Sequence, residues 1–149
     1  YKRQHEKGLT VALNPSPFSA EILSWPLECV DIFIVNEIEG GALSGESVPE
    51  KVLDALRRRF PGAATVLTLG HDGAMYADQT ESFSVPAHRV TVVDTTAAGD
   101  TFTGYFLAML LRGGTPKDSM EIAAKAAAIA VTRPGAVPSI PRLEETLRQ

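Results

Sequence analysis

The sequence predicts an α/β domain with a mainly parallel sheet flanked by helices. Short apolar runs with the length of buried strands, at 9–13, 31–35 and 64–69, alternate with longer helical patterns, and this alternation is typical of parallel sheets. Polar residues or glycine interrupt each run at its carboxyl end. Since ligands of such sheets sit beyond the carboxyl ends of the strands, we expect the functional residues there.

The other elements follow from local signals. A polar helix is predicted at 1–7, because Gly8 stands where a helix commonly ends. Proline, glycine and apolar spacing delimit the further helices, which are expected at 19–25, 39–43, 47–60, 102–111, 115–131 and 142–149. Segments 74–77 and 81–86 are typical of an antiparallel hairpin at the sheet edge, and 90–93 of a strand that leads into a tight turn.

The composition indicates a globular domain and disfavours several classes of partner. Of the 149 residues, 44% are hydrophobic and 21% charged, and the formal net charge of −4 gives no basic surface for nucleic acid. No apolar run approaches the roughly 20 residues that a membrane-spanning helix needs. The single cysteine, Cys29, excludes an internal disulfide and fits a reducing compartment, so we expect a cytoplasmic protein without nucleic-acid or membrane partners.

The segment 93–104, Val-Asp-Thr-Thr-Ala-Ala-Gly-Asp-Thr-Phe-Thr-Gly, is the most informative in the chain. At the expected helix start, the N–H groups of Ala98, Gly99 and Asp100 have no intrahelical partners, and the helix dipole favours an anion there, most often phosphate. The Asp100 carboxylate would repel phosphate, but it is suited to take a proton from a hydroxyl that attacks phosphate. The residues therefore favour a small-molecule kinase site over an ordinary helix cap.

This segment resembles the signature Asp-Thr-x-(Gly/Ala)-Ala-Gly-Asp-x-Phe of the ribokinase family, also called the PfkB carbohydrate kinases. Ala97 stands where many relatives carry glycine, although ribokinases themselves often read Ala-Ala-Gly-Asp. The resemblance implies ATP-dependent phosphorylation of the primary hydroxyl of a sugar, most simply ribose. It implies Asp100 as the catalytic base, and the N–H groups of Ala97, Ala98 and Gly99 as the anion hole for the transferring phosphoryl group.

The resemblance also implies that residues 1–149 form the C-terminal, nucleotide-binding portion of a single ribokinase-like domain. The N-terminal half and the lid, which supply most sugar contacts in the family, are not in this sequence. We therefore expect little or no kinase activity from the chain alone, self-association at an exposed sheet edge, and a homodimer for the full-length protein.

Two further motifs match the family at the ends of the second and third predicted strands. Asn36-x-x-Glu39 matches an Asn-x-x-Glu motif that implies contact of Asn36 with ATP and of Glu39 with Mg²⁺ through water. By itself this spacing also predicts a helix capping box. The segment 68–73 implies contacts along the ATP phosphates, by Thr68, Leu69, Gly70, His71, Asp72 and Gly73; we interpret His71 as an exposed turn residue rather than a base.

The tail at 131–139 resembles the ribokinase tail, which contributes to the adenine pocket and to a monovalent-cation site. Position by position, the resemblance implies Ala124 at the ATP site. It implies a K⁺ site formed by Asp94, Thr96, the carbonyls of Ala130, Arg133 and Gly135, and Ser139.

The sequence leaves two alternative functions open and disfavours a third. Another PfkB-type kinase, acting on a fructose phosphate, ketodeoxygluconate or a nucleoside, has the same motifs, so the residues do not identify the substrate. A non-catalytic nucleotide-binding module is a second alternative. A dinucleotide-binding Rossmann domain is disfavoured, because no G-x-G-x-x-G follows the first strand and Asp100 would oppose a pyrophosphate.

Overall fold

The structure is a computed structural model that describes residues 1–148. The chain forms two compact units. The first unit contains residues 1–69 and 75–84, and the second contains residues 70–74 together with the chain from Val85 onwards.

A five-stranded sheet with the order β1-β2-β3-β4-β5 organises the first unit. Its strands are β1 (Ala12–Leu13), β2 (Ile32–Asn36), β3 (Ala64–Thr68), β4 (Ala74–Ala77) and β5 (Ser82–Val85). β1 runs parallel to β2, and β2 runs parallel to β3. The short connection between β4 and β5 reverses the chain, which makes that pair antiparallel. The predicted α/β class with a mainly parallel sheet and an edge hairpin is confirmed.

The helices of the first unit are α1 (Lys2–Glu6), α2 (Glu37–Ser44) and α3 (Pro49–Arg59). α3 begins with proline at its first position and buries Val52, Leu53 and Leu56 on one face, as the apolar spacing predicts. These side chains join the core, where the rings of Phe33 and Phe60 lie 4.9 Å apart between centroids.

Two predicted elements of this unit are shorter or tighter in the structure. β1 covers two residues rather than 9–13, because the N–H of Val11 donates to the Asp31 carboxylate at 2.7 Å instead of to a strand. Leu9 is accordingly 55% exposed. The helix predicted at 19–25 is a 3₁₀ helix, Ala20–Ser24, and a second one follows at Leu27–Cys29.

The second unit consists mainly of helices α4 (Ala98–Leu111), α5 (Pro116–Ala130) and α6 (Leu143–Arg148), with 3₁₀ turns at Gly70–Asp72 and Val137–Ser139. α4 and α5 pack together, and alanines on α5 such as Ala123 and Ala126 are fully buried. The helix predicted at 142–149 corresponds to α6, and Gln149 lies outside the described residues.

Helix α4 has an unusual surface. No charged residue occurs between Thr101 and Leu111. Phe102 and Phe106 are buried, whereas Leu111 is 87% exposed. Residues 101–111 of α4 therefore have no charged face, which is typical of a helix that is covered on all sides, but part of this surface is exposed here.

The strand predicted at 90–93 is wrong. Val92 and Val93 are 58% and 60% exposed, and the segment is not in a sheet. The N–H of Val93 instead donates to the Val131 carbonyl at 2.8 Å. β-prone residues form a strand only where a neighbouring strand completes the ladder, and no strand of the described residues pairs with this segment.

Within residues 1–148, none of the helices combines the length and apolar character needed to cross a bilayer.

Acid should loosen the β4–β5 hairpin through Asp78. Burial raises the pKa of this carboxyl, but hydrogen bonds from Thr80, Glu81 and Tyr76 outweigh that effect and lower it from 3.8 to about 2. A lowered pKa in the folded state contributes stability above the ordinary value, which is lost as the pH falls towards 2. We expect Asp78→Asn to flatten the thermal stability profile between pH 4 and 2, measured by circular dichroism. Asp72→Asn, in an exposed turn, is the control, and an equal flattening by that variant would contradict this assignment.

Candidate active site

The carboxyl end of β2 leads directly into a capped helix. The Asn36 side chain accepts a hydrogen bond from the N–H of Glu39 at 2.9 Å, and the Glu39 carboxylate accepts one from the N–H of Asn36 at 3.0 Å. This is the capping box that the spacing also predicted. It fixes Glu39 as a nearly buried carboxylate, 4% exposed, at the start of α2.

The capping box does not exclude a second role for Glu39, since each carboxylate oxygen has two acceptor positions. No cluster of three or more His, Cys, Asp or Glu side chains with metal-binding geometry occurs among the described residues. Mg²⁺ commonly keeps several waters and needs only one or two protein carboxylates. The assignment of Glu39 to Mg²⁺ stays a prediction.

Thr68 lies beside Asn36 at the same edge of the sheet, because the two residues are register partners on β3 and β2. The Thr68 hydroxyl donates to the Val35 carbonyl at 3.4 Å. Two of the residues predicted to contact ATP are thus neighbours, as the strand-end argument requires. Leu69, which follows, packs against the core of the first unit.

The predicted phosphate turn, residues 70–73, belongs to the second unit. Gly70 and Gly73 both have positive φ, and the side chain of His71 is 94% exposed, as expected of a turn residue. A Cβ atom at Gly73 would lie 2.1 Å from the Val85 carbonyl oxygen. Position 73 therefore requires glycine, because the backbone of residues 85–87 leaves no space for a side chain.

The start of α4 has an uncommon backbone. Ala97, the residue before the helix, adopts the left-handed conformation at φ 63° and ψ 10°, and its side chain provides no cap. The N–H of Ala98 donates to the Thr95 carbonyl at 3.2 Å. The N–H groups of Gly99 and Asp100 have no hydrogen-bond partner within residues 1–148. The N–H of Ala97 has no such partner either, so two of the three predicted anion-hole amides, those of Ala97 and Gly99, are unpaired, while that of Ala98 is bonded to Thr95.

Asp100 is exposed in the first turn of α4. It lies at one end of a groove of about 320 Å³ along this helix, which is lined by Asp100, Thr101, Gly104, Tyr105, Ala108, Met109, Arg112, Ile140 and Leu143. Thr101, beside it, is buried, and its hydroxyl has no partner among the described residues. A carboxylate here is free to accept a proton from a bound molecule.

Asp94 connects the turn before α4 with the loop after α5. Its Oδ1 accepts hydrogen bonds from the hydroxyl and N–H of Thr96, at 2.6 and 2.9 Å, and its Oδ2 accepts one from the N–H of Gly135 at 2.9 Å. The Thr96 hydroxyl, then the two N–H groups, lower the pKa of the Asp94 carboxyl. Three residues of the predicted K⁺ site, Asp94, Thr96 and Gly135, are thus together.

The other predicted cation residues, Ala130 and Ser139, flank the same loop, and the predicted ATP residue Ala124 lies in α5. Ala130 is the buried last residue of α5, and Ser139 is buried with its hydroxyl donating to the Ala136 carbonyl at 2.6 Å. Ala124 is buried within α5. The side chain of Arg133 pairs with Glu145 of α6. Only the backbone carbonyl of Arg133 is predicted to contact K⁺.

Sequence reasoning missed two contributors to this loop. The Val131 carbonyl accepts the N–H groups of both Val93 and Asp94, and a backbone carbonyl leaves no sequence signal. Glu145 was also missed, since a partner of Arg133 twelve positions away on another element has no diagnostic spacing.

Residues 2–143 match the model of the pfkB family carbohydrate kinases. The chain belongs to this family. It is 39% identical over 146 residues to the ribokinase of Staphylococcus aureus, an alignment that covers 93% of this chain and 47% of that protein. It is 33% identical over 145 residues to the deoxyribokinase of Salmonella typhi, with 93% of this chain and 46% of that protein covered.

Two solved structures share its fold at a TM-score of 0.83 and 29% identity. One is Arabidopsis thaliana ribokinase complexed with ribose and ATP, in which 99% of this chain covers 49% of that chain. The other is an E. coli protein of the ribokinase fold in complex with ATP and Mg²⁺, with 96% and 49% covered. The chain thus spans about half the length of the relatives that it matches.

Replacing Ala97 with glycine should maintain or raise stability. A left-handed backbone costs a residue with a Cβ about 1–2 kcal/mol, and glycine avoids that cost at the price of greater freedom in the unfolded state. We expect the free energy of unfolding of Ala97→Gly, measured in urea, to equal or exceed that of the parent. Ala108→Gly, at an exposed interior position of α4, should instead lower it by about 1 kcal/mol. Equal losses in both variants would show that residue 97 is not strained.

Proposed function

We propose that the chain forms the nucleotide- and phosphate-binding part of an ATP-dependent kinase that phosphorylates the primary hydroxyl of a sugar, ribose or a near relative. The start of α4 supports this proposal most directly. There, the left-handed Ala97 leads into the unpaired N–H groups of Gly99 and Asp100, and the exposed Asp100 carboxylate stands beside them. An anion site next to a carboxylate is suited to a reaction in which a hydroxyl loses its proton while it attacks phosphate.

In the proposed reaction, Asp100 accepts the proton of the sugar hydroxyl, and the hydroxyl oxygen forms a bond to the γ-phosphorus of ATP. The bond from that phosphorus to the β-γ bridging oxygen breaks, and ADP leaves. The N–H groups of Gly99 and Asp100 donate to the oxygens of the transferring phosphoryl group, where negative charge lies in the transition state. The positive end of the α4 dipole acts in the same direction.

We assign the remaining predicted residues to ATP and to two cations. Asn36, Ala124 and residues 68–73 would contact ATP. Glu39 would hold Mg²⁺ through water, as a nearly buried carboxylate with acceptor capacity left beyond the capping box. Asp94, Thr96, Ser139 and the carbonyls of residues 130, 133 and 135 would hold K⁺. When bound, Mg²⁺ would neutralise charge on the phosphates. K⁺ would add positive charge beside the turn at 97–100, which we call the anion-binding turn.

The names of the relatives support a pentose substrate. Ribose and deoxyribose differ by one hydroxyl group, and relatives named for both are similar to this chain. The alternative is another substrate of the same family. Aminoimidazole riboside is one example, since a kinase of that compound from Salmonella enterica shares the fold at a TM-score of 0.78.

We propose that activity belongs to the full-length protein. Asp100 is exposed in this chain, and an efficient phosphoryl transfer needs a site from which water is excluded. The cytoplasm, which the single cysteine favours, is the proposed compartment, and a homodimer the proposed assembly. A nucleotide-binding module without catalysis is the second candidate.

Asp100→Asn tests the proposed base. We expect sugar-dependent ADP release by the full-length protein to fall about 100- to 10,000-fold, because asparagine cannot accept the proton. ATP binding should remain, and stability should not change because Asp100 is exposed. Asp118→Asn is the matched control, an exposed aspartate in the first turn of α5. Full activity of Asp100→Asn would exclude the base, and no turnover of any sugar or nucleoside by the unaltered protein would favour the binding module.

Gly99→Ala tests the anion-binding amides independently of the base. A Cβ atom at this position meets no atom within 4 Å, so the fold should tolerate it. If the amides contact the phosphoryl group, the added methyl would hold that group away, and the rate should fall about 100-fold or more. Thermal unfolding should stay within a degree or two of the parent. Retained activity at unchanged stability would mean that phosphate does not approach this turn.

A further inference from the structure

We propose that Glu145 of α6 is a positioning residue for the anion-binding turn, which it reaches through Arg133 and the loop 131–135. The proposal deepens the proposed function, on which its kinetic test rests. Its structural part depends only on contacts within the second unit.

The ion pair between Arg133 and Glu145 is two-pronged. Nη1 of Arg133 lies 3.3 Å from Oε2 of Glu145, and Nη2 contacts Oε1. Such a fork fixes orientation as well as distance, which a single contact does not. Both side chains are about one-third exposed, so solvent weakens the attraction and the pair adds little to overall stability.

Glu145 stands on a helix that is itself anchored to α4. The buried Thr146 donates its hydroxyl proton to the Tyr105 hydroxyl at 3.3 Å, and that hydroxyl donates to the Pro141 carbonyl at 2.6 Å. Tyr105 lies in α4, little more than one turn after Asp100. The carboxylate therefore has a defined position relative to the helix that starts at the anion-binding turn.

Arg133 lies in the loop 131–135, and this loop is hydrogen-bonded to the segment that precedes the anion-binding turn. Two residues after Arg133, the N–H of Gly135 donates to Asp94 at 2.9 Å, and Asp94 in turn holds Thr96. Thr96 immediately precedes the left-handed Ala97. A path thus runs from Glu145 through the ion pair to Arg133, along the chain to Gly135, and through hydrogen bonds to Asp94 and Thr96. It ends next to Ala97, where the anion-binding turn begins.

This arrangement predicts that loss of Glu145 alters the loop 131–135 and the anion-binding turn without a large change in the free energy of unfolding. If Glu145 only stabilised the tail, its loss would loosen α6 and leave the turn unchanged. If it positions the loop, its loss would release the Gly135 contact with Asp94 while the helices stay folded. The two roles therefore differ at Gly135 and Thr96, which are remote from Glu145 in sequence.

The first test uses this chain, labelled with ¹⁵N, and the variants Glu145→Gln and Glu144→Gln. Glu144 is the neighbouring control, 85% exposed and 3.9 Å from Arg148. We expect Glu145→Gln to shift the amide resonances of Gly135 and Thr96 and to speed their hydrogen exchange several-fold, with Glu144→Gln unchanged. The charge-swapped double variant Arg133→Glu with Glu145→Arg should restore the parent resonances. Unshifted resonances in Glu145→Gln, or equal shifts in the control, would overturn the proposal.

The second test measures kinetics on the full-length protein. We expect Glu145→Gln to lower kcat roughly tenfold, a typical size for such coupling, with little change in KM for ATP, and the control Glu144→Gln to leave kcat unchanged. An unchanged kcat would overturn the kinetic role. If the unaltered protein phosphorylates nothing, the proposed function fails, while the resonances of Gly135 and Thr96 still decide whether Glu145 positions the loop.

Discussion

The carboxylate of Asp94 is the interaction on which the candidate site depends. It joins two segments that are 41 positions apart, the turn before α4 and the loop after α5, through bonds to Thr96 and Gly135. Neither segment belongs to a helix or strand that would hold it otherwise. Because residue 97 has an unfavourable backbone conformation, the turn needs contacts on its flanks to persist. Asp94 provides them, and the exposed amides of Gly99 and Asp100 are the result.

The same carboxylate is also proposed to contact a cation, and the two roles are compatible. Its bonds to Thr96 and Gly135 stabilise the ionised form, which is why its pKa lies below the ordinary value. A carboxylate that stays ionised keeps its charge for a cation at any physiological pH. Glu39 is similar in kind, since the capping box orients a nearly buried carboxylate at the end of β2. At both Asp94 and Glu39, hydrogen bonds within the fold orient a carboxylate that we propose to contact a cation.

Much of the fold was predictable because the relevant signals are local. The strands at 32–36 and 64–68, the helix started by Pro49 and the capping box at Asn36 all follow from periodicity or from spacing within one turn. The strand at 90–93 was wrong because strand formation depends on a neighbour that local sequence does not reveal. The pair of Arg133 with Glu145 was missed for the same reason. Ala97 had only an indirect signal, the glycine that many relatives carry there.

The uncharged surface of residues 101–111 in α4 has a thermodynamic consequence. Leu111 and the small residues Gly104 and Ala108 are open in this chain, and any molecule that covers them binds the folded form in preference to the unfolded one. By mass action, such binding raises the apparent melting temperature as the concentration of that molecule rises. A melting temperature measured on this chain in dilute solution is therefore a lower bound on the value that the same helices have when α4 is enclosed.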